Sequence, residues 1–411
     1  MTGIATAGMW APLRIANFRW LACGRAMVYF SNALTPIVLG FAVLDLGGSV
    51  VAVGFVVGAR SVANVCLLLL GGVLADRLPR PVLLQGAGAV AAVVQWAAAL
   101  SLFTGWGSIP LLAALSVVNG VAAAVSVPTA AALTPQTVPP ELLRQANAVA
   151  RIAINIGLLL GASVGGVIAA IFGSAWGLVA TGFAFGLCSL AFTGVRLPYS
   201  DRVVSEGSTI HQLRVGWVEF VSRSWVWIVV LQFMLVNAAI AGGVQVLGLT
   251  VATETIGRQN WGLVLGAQTI GAFAGGLVAM RWRPRHQLQA GVGLVIVAAL
   301  PLVTLAYAPR LDVLLLVMFL NGMALEQFAV AWDVSLQEHI PPDRLARVYS
   351  YDALGSFLAV PLGEMAVGPL TLAAGKDTVL LGLAAAVALV SGFVCLLPSI
   401  RAVIAPHRLP G

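Results

Sequence analysis

Twelve apolar stretches, each long enough to cross a bilayer as a helix, run through this chain with very few charges inside them. A spanning helix needs about 20 mostly apolar residues. In the first half the stretches are Trp20–Leu44, Val50–Leu70, Val82–Phe103, Ile109–Leu133, Ala148–Ile171 and Ala175–Val195. In the second half they are Trp227–Val251, Gly262–Met280, Leu288–Tyr307, Leu311–Leu336, Val348–Ala373 and Thr378–Leu397. Of the 411 residues, 60% are hydrophobic and 9% charged, where a soluble domain carries about 25% charged residues. In water such a chain would expose apolar surface it could not cover. Lipid solvates apolar side chains on the outside, provided every backbone group bonds internally, and helices meet that condition. The expected fold is an all-α integral membrane protein.

The basic residues set the expected orientation. Arg258, Arg310 and Lys376 fall on one side of the alternating loops, and Arg25 and Arg60 fall inside spans. The other arginines lie near the termini or in loops on the same side as them, so both termini are expected in the cytoplasm. The net charge of +7 is scattered in short segments rather than gathered in a patch, which argues against nucleic acid as a partner. Cys23, Cys66, Cys188 and Cys395 each lie in an apolar run with no metal-ligand spacing and read as small buried apolar residues. The first run is too long for the apolar region of a cleaved signal. The expected setting is the plasma membrane of a bacterial cell, as a multi-pass protein and a monomer.

The chain also repeats itself. Gly71–Arg77 after the second run matches Gly275–Arg281 after the eighth, at an offset of 204. Val138–Glu141 matches Ile340–Asp343, Asn119-Gly120 matches Asn321-Gly322, and Gly161 and Gly166 match Gly363 and Gly368, all at an offset of 202. Near-constant offsets indicate duplication. An even number of spans per half makes the repeats parallel, related by an axis along the membrane normal. The expected organisation is two pseudo-symmetric six-helix bundles, residues 1–196 and 225–411, joined by a cytoplasmic linker at 197–224. In that linker Ile210, Leu213, Trp217 and Phe220 recur at helical spacing, with His211, Arg214 and Arg223 between them, the pattern of an interfacial amphipathic helix.

Four motifs resemble the major facilitator superfamily, over essentially the whole chain. Between spans two and three the sequence reads Gly72-Val73-Leu74-Ala75-Asp76-Arg77-Leu78-Pro79-Arg80, with Pro79 where the family has a second Gly. The resemblance implies that Gly72, Asp76, Arg77 and Arg80 gate the halves in one access state. In span five, Gly157, Gly161, Gly165 and Gly166 resemble the motif of proton-antiporter exporters, with Ala162 where Pro is expected. Small residues at this spacing also simply let two helices approach closely. In span four Asn119-Gly120 is retained, but Ser116 stands where the family has an Arg, so a proton role for that position is not carried over. Pro140–Asn147 resembles the branch containing enterobactin and macrolide exporters. The family fold implies that spans one, four, seven and ten line a central cavity, and that span two packs on span eleven, pairing Arg60 with Glu364.

Ionisable groups deep in a span cost about 2.5–3.5 kcal/mol on insertion scales, so they usually face a cavity or a partner. The first half carries Arg25 and Arg60 there, and the second carries Glu326, Asp333, Asp352 and Glu364. Glu326 and Asp333 stand seven residues apart on span ten and share a face. Both are candidates for proton coupling; an ion pair, for example Asp333 with Arg25, is the alternative. Arg25, Tyr29, Asn32, Asn119, Asn237, Gln245, Asn321 and Trp332 are candidates for the substrate cavity. Few charges with several amides and aromatics suit an amphipathic organic solute.

The expected function is secondary active transport, with proton-coupled efflux of a hydrophobic or amphipathic small molecule by alternating access. Its partners are the substrate, protons and the bilayer; no cofactor or metal is expected. Uptake on the same fold is the nearest alternative. An integral membrane enzyme would need a catalytic cluster near an interface, and a sensor would need a soluble signalling domain; the sequence offers neither.

Overall fold

The computed structural model describes residues 10–403 except 78, 197–216 and 283. Among these there is no strand, and twelve helices are long and apolar enough to cross a membrane. The first six are α1 (Ala16–Asp45), α2 (Val50–Arg77), α3 (Arg80–Phe103), α4 (Ile109–Thr137), α5 (Leu143–Ile171) and α6 (Ser174–Thr193). The second six are α7 (Ser224–Glu254), α8 (Arg258–Arg281), α9 (Gln287–Tyr307), α10 (Leu311–His339), α11 (Pro342–Phe357 and Val360–Ala374) and α12 (Lys376–Leu396).

Three spans depart from single continuous α-helices, α9 through a 3-10 segment at Val295–Ala298. The run Val348–Ala373 is broken at Leu358 and Ala359, because Pro361 occupies the first turn of the helix that restarts at Val360. Proline lacks an amide proton and cannot continue a helix, but it fits a first turn. In α7 the residues Ala241–Leu247 take a π-helical turn, a wider coil that recurs at functional sites. Pro79 precedes α3 and Pro81 sits in its first turn, so prolines set the start of that helix where the family pattern has glycine.

The chain divides into two compact units, Met1–Asp201 with Arg258–Gly262, and Arg202–Gly257 with Leu263–Gly411. In the first unit α1 packs chiefly on α5, α2 on α4 and α3 on α6. Glycines on the approaching helices make this possible. A Cβ at Gly120 of α4 would overlap the Arg60 carbonyl of α2, and one at Gly161 of α5 would overlap the Phe30 carbonyl of α1. Part of the core is Leu21, Val28, Leu84, Leu133, Cys188 and Phe192. The outer surface is just as apolar: Val90, Val93 and Leu100 of α3 and Phe183, Leu187 and Leu190 of α6 are exposed, as lipid allows. Cys23 and Cys66 are exposed as well, while Cys188 is buried; in an apolar solvent a small apolar side chain need not be interior. The opening turn of α8 belongs to this unit. Arg258 Nη1 donates to Asp45 Oδ1 at 2.6 Å, Ser174 Oγ donates to Asp45 Oδ2 at 2.6 Å, and the Arg258 guanidinium lies 4.9 Å from the Phe41 ring centroid.

The second unit repeats the packing. A Cβ at Gly322 of α10 would overlap the Gln268 carbonyl of α8, and one at Gly363 of α11 would overlap the Ala238 carbonyl of α7. Gly322 and Gly363 stand 202 positions after Gly120 and Gly161, so the duplication extends to which backbones touch. The turns agree: Gly173 before α6 and Gly375 before α12 have φ of 89° and 81°, a conformation that glycine adopts without a Cβ clash. From the linker, residues 217–222 are helical, and the rings of Trp217 and Phe220 lie 5.5 and 5.8 Å from Tyr351 of α11. Ile210, His211, Leu213 and Arg214 lie outside the described residues.

Candidate functional site

Among the described residues each unit carries a buried polar network that joins three helices, and the two differ in chemistry. In the first, Arg60 of α2 is 8% exposed. Its Nε donates to Asn119 Oδ1 of α4 at 2.8 Å, and its Nη2 donates to Asn32 Oδ1 of α1. An arginine presents several donors in a fixed fork, so one guanidinium can join three helices. Gly120 next to Asn119 brings α4 against α2 at this level. Ser116, where the family has an arginine, donates to the Val56 carbonyl at 2.8 Å. Its short side chain ties α4 to α2 without adding charge. Nearer the Arg-rich end of α1, Arg25 is buried and its Nη1 donates to Thr134 Oγ1 of α4 at 2.9 Å. Tyr29 is half-buried one turn away.

In the second unit the network is acidic and aromatic. Trp332 Nε1 of α10 donates to Asp352 Oδ2 of α11 at 2.9 Å, and Ser356 Oγ donates to Asp352 Oδ1 at 3.1 Å. Asn237 Nδ2 of α7 donates to the Ser356 carbonyl at 2.9 Å. Tyr349 Oη donates to Asp333 Oδ1 at 3.2 Å. Thus Asp352 and Asp333 both accept hydrogen bonds, and α7, α10 and α11 are joined through them. Beside these acids the rings of Phe233 and Phe328 stack at 4.0 Å, and Trp332 meets Trp225 at 5.7 Å. Glu326 is half-buried on α10. Its Cβ lies 3.1 Å from where a Cβ on Gly275 of α8 would be, and its Oε1 lies 3.9 Å from the same point on Gly276. The glycine pair therefore opens the space that the carboxylate occupies. On the next residue, Gln327 Nε2 donates to the Gly275 carbonyl.

The remaining candidates fall elsewhere. Gln245 is exposed within the π-helical turn of α7. Asn321 is 2% exposed, and its Oδ1 meets no donor among the described residues. Glu364 is 2% exposed on α11. Gly157, Gly161 and Gly165 line the face of α5 that meets Ala26, Phe30 and Leu34 of α1, and Gly166 meets Gly262. Close helix contact accounts for all four. Arg80 opens α3, whereas the side chains of Gly72, Asp76 and Arg77 lie outside the described residues. No cluster of metal-ligating side chains occurs among the described residues. Sequence reasoning missed Thr134, Tyr349 and Ser356 as partners. Hydroxyls in apolar helices are common, and only tertiary contact distinguishes these three.

The Asn-Gly repeats give a direct comparison. Asn119→Ala removes an acceptor from a buried cation and should destabilise the protein by about 2–3 kcal/mol. Asn321→Ala, whose oxygen meets no donor among the described residues, should change stability by no more than about 1 kcal/mol. Denaturation of the two variants in the same detergent checks this, and equal losses would contradict the difference in partners.

A sequence model of the Major Facilitator Superfamily matches residues 21–364. The chain is 25% identical to the "Multidrug efflux pump Tap" of Mycolicibacterium fortuitum, over 95% of this chain and 96% of that protein. Solved structures share the fold at lower identity. The nucleoside transporter NupG superposes with a TM-score of 0.75 at 15% identity, over 92% of this chain and 98% of its own. A bacterial homolog of the human lysosomal transporter Spinster, inward-facing and unoccupied, gives 0.73 at 16%, over 95% and 98%. The xylose transporter XylE from E. coli, inward open, gives 0.65 at 15%, over 94% and 95%.

Proposed function

This chain belongs to the Major Facilitator Superfamily, a multi-pass membrane transporter rather than an enzyme, and from that premise we propose that it exports an amphipathic small molecule in exchange for protons. Alternating access moves a substrate without opening a continuous pore. The direction rests on one observation above the others: the full-length likeness to a multidrug efflux pump. Proton coupling is supported by the placement of charge. The first unit buries cations, Arg25 and Arg60, and the second holds Glu326, Asp333 and Asp352 on α10 and α11. A carboxylate deep in a span can take up a proton facing one side of the membrane and lose it facing the other.

In this reading Asp76, Arg77 and Arg80, with Gly72, gate one access state, and Arg60 with Glu364 gates alongside them. Arg25, Tyr29, Asn32, Asn119, Asn237, Gln245, Asn321 and Trp332 furnish the substrate cavity. Both termini face the cytoplasm, the protein acts as a monomer, and its membrane is the bacterial inner membrane. The test is efflux from proteoliposomes under an imposed pH gradient, read beside accumulation of diverse compounds in cells with and without the gene. Export predicts lower accumulation with the gene and efflux that collapses with the gradient. Higher accumulation with the gene would reverse the direction, and gradient-independent uphill efflux would remove the proton.

A further inference from the structure

The second unit contains a cavity that the candidates above do not use. Of about 460 Å³, it runs between α8, α9 and α10 at their Arg-rich ends. Pockets for drug-sized ligands fall between about 300 and 1,000 Å³. Its walls are small and apolar: Ala279 of α8, Gly291 of α9, and Val330, Ala331 and Val334 of α10. Neither Asp333 nor Glu326 lines it. Positions 327, 330, 331, 334, 337 and 338 form one helical stripe on α10. No described lining residue belongs to α7 or α11, and neither Trp332 nor Asp352 is among them.

The mouth is where the chemistry lies. Glu338 is the one ionisable side chain among the described lining residues. It is exposed and makes no hydrogen bond or ion pair among the described residues. Trp282, 47% exposed, lines the same space and offers an indole face. Gln287 and Gln337 add amide groups at that end. Arg285 lies exposed in the α8–α9 loop and does not line the cavity; the side chains of Arg281 and Arg283 lie outside the described residues. A carboxylate with no hydrogen bond or ion pair among the described residues, an indole and an apolar wall together complement one ligand class: a flat apolar body carrying a single positive charge. The carboxylate attracts the charge, an indole face adds cation–π attraction, and the wall takes the body.

We propose that this groove is a capture site for amphipathic organic cations, separate from the Asp352 network, occupied from the membrane interface before transport. The assignment extends the export reading, but binding here needs no gradient and can be measured alone. The protein is reconstituted in nanodiscs of zwitterionic lipid and photolabelled with ethidium monoazide at sub-saturating concentration. Labelled peptides are then mapped by mass spectrometry. Label is expected on the segments 279–291 and 327–338. Glu338→Gln should lower that label by up to about fivefold, the upper end for one exposed ion pair, and should leave labelling by a neutral azidophenanthridine unchanged. Trp282→Ala should lower both. Val334→Trp, which fills the groove, should remove both, and Ala331→Leu serves if that variant does not fold. Label confined to other segments overturns the proposal. So does groove label that Glu338→Gln leaves unchanged. Phospholipid that co-purifies with the wild type and is lost with Val334→Trp, with no ethidium label in the groove, would assign the space to lipid instead. Efflux with no groove label sinks this site alone; groove label without efflux sinks export alone.

Discussion

Glu326→Gln is expected to abolish uphill, gradient-driven efflux while leaving substrate binding measurable. Glutamine keeps the length and hydrogen-bonding capacity of the side chain, so it should still fit beside Gly275 and Gly276. What it loses is the proton. An antiporter needs a group that is occupied by a proton in one half of the cycle and by none in the other. Asp352 accepts hydrogen bonds from Trp332 and Ser356, and Asp333 accepts one from Tyr349. Releasing either would break contacts that tie α10 to α11. The measurement is efflux from proteoliposomes with an imposed pH gradient, beside a binding isotherm on the same preparation. Concentrative efflux that survives in the variant would move the coupling role to Asp333, Asp352 or Glu364. Loss of both binding and efflux would mean that Glu326 holds the substrate or the structure instead.

Gly322→Leu should prevent folding of the second unit. A Cβ at this position would overlap the Gln268 carbonyl and crowd the Ala272 amide nitrogen at 2.9 Å. These are backbone atoms, so no side chain can swing away; α8 and α10 would have to separate. Overpacking a rigid core usually costs about 1–3 kcal/mol, and a whole isobutyl group driven between two backbones should exceed that range. Gly271 and Gly275 of α8 press on the Phe319 and Met323 carbonyls of α10, so separation at one point strains the seam along its length. Gly382→Leu is the control: nothing lies within 4 Å of its added Cβ, and it should express normally. Membrane abundance and a monodisperse chromatographic peak give the readout. A folded Gly322→Leu protein would mean that the helices are not held at this distance.

Much of the architecture was legible because a bilayer imposes a length and a polarity on every span. The runs from Trp20 to Leu397 identify the spans without regard to how they pack. The duplication was legible for a related reason. Asn119-Gly120 with Asn321-Gly322, and Gly161 with Gly363, sit where backbones touch, and only glycine fits there. Boundaries were less legible. α1 begins at Ala16 rather than Trp20, since a helix continues into the interface as long as its backbone bonds can close.

The site was legible by residue type but not by partner. Burial cost alone marks Arg60, Asn119, Asn32, Trp332 and Asn237 as residues that need a reason to lie in a membrane. Which of them meet is a matter of three-dimensional register, and no periodicity within one helix reports on another. Arg60 reaches Asn119 and Asn32 across 59 and 28 positions of sequence, and Trp332 reaches Asp352 across 20. The groove beside Glu338 lay further out of reach. Its walls are alanine, valine and glycine, which in sequence are indistinguishable from any lipid-facing stretch. A cavity is space that side chains leave unfilled, so it exists only once three helices are set side by side. The sequence by itself determined that the chain spans the membrane as two related sets of helices. The tertiary structure alone decided which buried polar groups satisfy one another and where room remains for a ligand, because both depend on distances between segments that the chain order does not constrain.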